Sequence, residues 1–118
     1  MALTKVRGKA VDGGTISTET AGTNNLILGS TAGDSIASGG NYNVCIGDEA
    51  GTALTTGDNN VAIGFEALNT EDTQGHSVAV GYQALKTQNS SATSENTAVG
   101  YKAGTALTTG VESTFMGY

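Results

Sequence analysis

The sequence offers few side chains that do chemistry. His76 is its one histidine and Cys45 its one cysteine. A general base needs a partner placed within hydrogen-bond reach, and a nucleophile needs a base beside it. His76 follows Gly75 in a turn slot, and no carboxylate or nucleophile recurs at a recognisable spacing from it. It is expected to be a surface turn residue. A zinc site needs more nitrogen and sulfur ligands than His76 and Cys45 supply. Asp48 and Glu49 could serve glycoside hydrolysis only as part of a carboxylate pair flanking a sugar, and their spacing does not ask for it. No catalytic, cofactor-binding or metal-binding residue is assigned, no cofactor is expected, and the chain is expected not to be an enzyme. The aromatics Phe65, Tyr82, Tyr101 and Tyr118 could face glycans, but their regular spacing favours stacking on one another.

That regularity leads to the elements behind it. Six segments match: Asn25 to Gly29, Asn43 to Gly47, Asn60 to Gly64, Ser77 to Gly81, Asn96 to Gly100 and Ser113 to Gly117. Their closing glycines lie 18, 17, 17, 19 and 17 residues apart. Each of the first five is followed three positions later by an alanine: Ala32, Ala50, Ala67, Ala84 and Ala103. The octapeptide Ala-Gly-Thr-Ala-Leu-Thr-Thr-Gly occurs twice, at 50–57 and 103–110. An internal repeat of this length marks a stacked architecture. About 17 residues is too short for paired helices, and no helical apolar stripe is present. The residues alternate as in a strand.

The expected fold is all-β, a parallel β-solenoid or β-roll with rungs of about 17 residues. Six rungs at strand spacing span on the order of 24 Å. Reading the larger aliphatics as inward gives a core column of Leu26/Leu28, Val44/Ile46, Val61/Ile63, Val78/Val80, Val99 and Met116. The second half of each unit returns on the opposite wall with Leu54 and Leu107 inward, and the asparagines stack at a corner. A hexapeptide helix is excluded because six and twelve positions beyond Ile63 stand Asn69 and Gly75. A calcium-binding nonapeptide roll is excluded because its glycine-aspartate signature is absent.

At the level of Asn-Val-Ala-Ile-Gly followed by Phe or Tyr, x, Ala and Leu, residues 25–118 resemble the repeat-rich tail fibres of bacteriophages. Similar runs, at a shorter repeat, occur in the β-roll heads of trimeric autotransporter adhesins. The opening Met-Ala-Leu-Thr-Lys-Val and Asp12-Gly-Gly-Thr-Ile-Ser17 resemble the start of phage fibre proteins. The resemblance implies a homotrimer whose N-terminal segment attaches to a tail or capsid protein of the virion while the repeats form a shaft. A host glycan or receptor is a further partner it allows, and a bacterial cell surface is the alternative location. The opposite-parity residues Cys45, Ala62, Ala79, Ala98 and Phe115, with Ile27, are expected to form the trimer interface, since an apolar stripe of small residues lets chains approach closely. Phe115 is expected to plug the C-terminal end of the trimer axis above Met116.

Composition and charge agree with a thin, layered structure. The chain has 18 glycines, no proline or tryptophan, and few large aromatics to fill a thick core. Its net charge of −6 argues against nucleic acid as a partner. Lys5, Arg7 and Lys9 concentrate the positive charge at the start, so the head differs electrostatically from the body; with the resemblance, this implies residues 1–20 as an attachment segment and 21–118 as the shaft. No apolar run is long enough to span a membrane, and no signal-peptide core is visible, so no membrane insertion is expected. A lone cysteine leaves no intrachain disulfide.

Overall fold

The computed structural model describes residues 16–17 and 20–118. Lys5, Arg7 and Lys9 lie outside the described residues. Among the described residues seven short strands form one sheet in sequence order: β1 (Ile16–Ser17), β2 (Leu26–Leu28), β3 (Val44–Ile46), β4 (Val61–Ile63), β5 (Val78–Val80), β6 (Thr97–Val99) and β7 (Thr114–Met116). Strands β2 to β7 pair in parallel, and the register repeats with the sequence unit: Val44 stands opposite Val61, Val61 opposite Val78 and Val78 opposite Thr97. Only β1 is antiparallel, lying along β2. The molecule is therefore all-β, a parallel β-solenoid with about 17 residues per turn, and the described residues contain no helix.

Three residues of strand per rung leave most of each turn to corners, and the sequence places those corners consistently. The residue before the Asn or Ser that opens each unit is left-handed at all six rungs: Asn24, Tyr42, Asn59, His76, Glu95 and Glu112 have φ between 50° and 66°. The glycine closing each strand has a φ that side chains rarely adopt, 127° at Gly64 for example. A Cβ on Gly64 would also lie 2.5 Å from the carbonyl oxygen of Gly81 on the next rung. The glycines thus let successive backbones pack at sheet spacing.

Hydrogen bonds between rungs continue beyond the strands. Val61 N–H donates to Ser77 O (2.9 Å) and Gly81 N–H to Ile63 O (2.7 Å) at the two ends of the sheet. Around the next corner Gly51 N–H reaches Ala67 O (2.9 Å) and Leu68 N–H reaches Ala84 O (3.0 Å). On the far wall Thr55 N–H reaches Asp72 O (2.7 Å), and His76 N–H reaches Asp58 O (3.0 Å) on the return. Each left-handed residue costs about 1–2 kcal/mol, and this stacking of backbone groups is what offsets it.

The core corrects the expected parity. Cys45, Ala62, Ala79 and Ala98 are completely buried inside the chain, and Ile27 nearly so. The larger aliphatics Val44, Ile46, Val61, Ile63, Val78 and Val80 point out of the sheet and are half-buried. The reason is thickness. The inward column must fit between the sheet and the alanines of the next corner (Ala50, Ala67, Ala84), which are also fully buried. At the four middle rungs small side chains keep the walls close, while Ile27 and Phe115 hold the same place at the two end rungs.

Large side chains enter the core at two other columns, and they alternate. Rungs with Ile36, Leu54 or Leu107 on the far wall carry Gly33, Gly51 or Gly104 three residues earlier. The two rungs with Leu68 or Leu85 at that earlier position carry Glu71 or Gln88 instead. A Cβ on Gly51 would lie 2.9 Å from Leu54 Cδ1 and 2.7 Å from Cys45 Sγ, so the two sites share one volume.

The corrected parity makes a measurable distinction. Ala62→Leu should overpack the core and cost roughly 1–3 kcal/mol. Val61→Thr, which repeats what Thr97 and Thr114 do in the same column, should stay within about 1 kcal/mol. Urea denaturation at low protein concentration measures both, and equal losses would contradict the assignment.

Candidate functional site

Two surfaces and one buried cluster collect the side chains able to do something beyond filling the core. The first surface is the outer face of the sheet. One outward column runs Leu26, Val44, Val61, Val78, Thr97, Thr114, and the other Leu28, Ile46, Ile63, Val80, Val99, Met116. Ten of these twelve residues are aliphatic and none is charged. The face repeats at every rung because the strands are in register. Met116, expected beneath an axial plug, is 81% exposed. Phe115 follows Ala98 in the inward column and packs half-buried against this chain's own core. The residues expected at a subunit contact, Cys45, Ala62, Ala79 and Ala98, are closed off inside the chain, so no second chain can reach them.

The second surface lies just past the closing glycines. Phe65, Tyr82, Tyr101 and Tyr118 stack in a ladder with ring centroids 5.6, 5.1 and 5.2 Å apart and interplanar angles of 10–20°. Lys102 Nζ lies 5.5 Å from the Tyr101 ring centroid. Beside the ladder Lys86 Nζ pairs with Glu66 at 2.7 Å, and this hydrogen bond, with another from Gln83, lowers the Glu66 pKa. Sugars stack on ring faces, and here the faces of Tyr82 and Tyr101 are covered by their neighbours, leaving edges to solvent.

The buried cluster grows out of the asparagine column. These side chains point into the solenoid, not around a corner. Asn43 Oδ1 accepts the N–H of Asn60 (2.9 Å), and Asn60 Oδ1 accepts that of Ser77 (3.0 Å). Each Nδ2 donates across the turn to its own far wall, Asn43 to Gly57 O (2.8 Å) and Asn60 to Gln74 O (3.1 Å). Ser77 is too short to repeat this. Gln88 fills the gap from the far wall: its Nε2 donates to Ser77 Oγ (3.0 Å), and its Oε1 accepts from Asn96 Nδ2 (2.9 Å). Gln88 also donates to Glu71, which accepts a further bond from Ser94 Oγ at 3.1 Å. Glu71 is fully buried, its Oε1 has no partner, and burial raises its pKa. Sequence reasoning missed this cluster, although its signal was present: the one Ser interrupting four Asn stands in the unit where the far-wall column turns polar.

Other candidate groups take structural places. His76 is exposed at a left-handed corner. Cys45 is buried, and burial pushes its thiol pKa up to about 12. Asp48 accepts hydrogen bonds from Thr31 (2.7 Å) and Ser30 (2.9 Å), which lower its pKa and keep it ionised. Among the described residues no three His, Cys, Asp or Glu side chains gather as metal ligands do.

Two outcomes follow from the buried groups. Because the folded-state pKa of Glu71 is raised, its protonated form favours folding, and that contribution is lost as pH rises through the folded pKa. Glu71→Gln should therefore melt higher than the parent at pH 8 and close to it near pH 4, as scanning calorimetry at both values would record. Cys45 should resist a thiol-specific reagent at pH 8 in the native state and react at once in denaturant; rapid native labelling would contradict its placement.

Comparison with protein-family models, with curated proteins and with solved structures finds no match to this chain, so its function has to be read from this geometry.

Proposed function

We propose that the chain is a structural subunit of a virion fibre or spike. In this proposal the rungs form the shaft of a homotrimeric phage tail fibre, and the N-terminal segment with Lys5, Arg7 and Lys9 attaches it to the virion. The observation that carries the proposal is hydrogen bonding between rungs on every side of the solenoid, which makes a rod stiff along its axis. The Cα extents, 44 × 27 × 15 Å, describe a slab with one outer face free of charge. The chemistry-bearing side chains are spent on structure: Cys45 in the core, Asp48 on neighbouring hydroxyls, His76 at a corner. A role without catalysis fits that distribution, and the shaft's contribution to host adsorption is to hold other parts at a distance from the particle.

The aromatic ladder supports a second reading, an adhesin module for a host glycan or receptor. The stacking of ring on ring favours the shaft, since it removes the faces a sugar would use.

Immunogold electron microscopy with antibodies against the purified chain tests the proposal on phage particles. Label along tail fibres is the expected result. Label on the capsid would make the chain a decorating fibre, and label on bacterial surface fibres alone would overturn the virion assignment in favour of an adhesin.

A further inference from the structure

We infer that copies of this chain associate through the outer face of the sheet, with the column containing Val44, Val61 and Val78 of one copy packed against the column containing Ile46, Ile63 and Val80 of the next. The inference rests on the homotrimer reading above and gives it an interface.

Charge points to a second copy as the occupant. The chain carries −6 overall, so two copies repel wherever their charged walls meet. The twelve outward positions of β2 to β7 hold no charge, while Asp48, Glu66 and Lys102 lie past the closing glycines and Asp58 on the return wall. This sheet face is the part of the repeat on which copies meet without burying an ion.

Periodicity points the same way. The outward side chains recur once per rung, in register, through β3, β4 and β5. A second copy with its axis parallel presents the same period, so ridges and gaps match at every rung at once. A partner with another spacing would match at one rung and miss at the next. The side chains are mostly β-branched and stiff at χ1, so ordering them on contact costs little.

The two outward columns flank the inward small column on the same strand, one on each side. Around an axis parallel to the rod, one column of each copy therefore faces the other column of its neighbour. Three copies placed this way close on themselves, with each sheet face turned to the axis and the acidic walls outward. Such head-to-tail contacts close when the rotation between copies is a simple fraction of a turn.

Analytical ultracentrifugation of the full chain and its variants tests the interface, with circular dichroism reporting folding. The parent should sediment as a trimer. Ile63→Lys should sediment as a folded monomer, and Thr56→Lys, on the exposed opposite wall, should remain a trimer. Should Ile63→Lys not fold, the β-branched pair Val61→Thr with Ile63→Thr should fold and weaken association at least about tenfold. A monomeric parent would overturn both the homotrimer reading and the interface. A trimeric parent left intact by Ile63→Lys or by the threonine pair, or dissociated by Thr56→Lys, would overturn the interface alone.

Discussion

The structure depends on one inward side chain per turn. An asparagine at the start of the strand bonds in two directions: its carbonyl oxygen takes the N–H of the equivalent residue on the next rung, and its amide group reaches the far wall of its own rung. The first bond stacks rungs and the second closes them. Leaving two buried backbone groups unpaired would cost about 1–3 kcal/mol each, a large share of what a domain of this size has in hand. Serine cannot do both jobs, which is why Ser77 is accompanied by Gln88 and, through Gln88, by a buried acid at Glu71.

Closure across the turn also fixes how thick the solenoid can be. The amide spans a short gap, and the residue two places along is small at four of the six rungs, Cys45, Ala62, Ala79 and Ala98, with Ile27 and Phe115 in the same place at the two end rungs. The larger aliphatics of the same strands are then driven to the outer face. A chain with a well-filled interior thus also carries an uncharged aliphatic surface, and assembly is the physical use for such a surface. The ladder of Phe65, Tyr82, Tyr101 and Tyr118 follows from the same translation, since one rung's repeat places each ring over the next.

Much of this was legible in the sequence, and what was not has a definite cause. The glycine spacing gave the rung, the parallel order and the register, because a closing glycine that must pass under the next backbone leaves a fixed mark. Parity was misread because alternation shows which residues share a side but not which side is inside. Size is the usual tiebreaker, and it fails here because the inward strand position is small at four rungs while the large core residues, Leu54, Leu68 and Leu85, come from outside the strands. Leu54 was correctly placed inward, since its unit has no other large residue on the far wall. The Gly51/Leu54 and Leu68/Glu71 exchange was readable as an alternation, but its meaning depends on two positions sharing one volume. Nothing in the spacing alone reveals that contact. The buried state of Glu71 was hidden for a similar reason, because its partners come from residues 88 and 94, one rung on.

Native-state hydrogen exchange measures the central interaction most directly. The backbone amides of Asn43, Asn60, Ser77 and Ser113 each donate to an inward asparagine oxygen. They should exchange only through global unfolding, with the slow rates of the sheet amides. In Asn60→Ala the Ser77 amide should lose that protection first, before its neighbours in β5. Exchange of these four amides at the rate of exposed corner amides, or an unchanged Ser77 in Asn60→Ala, would contradict the account.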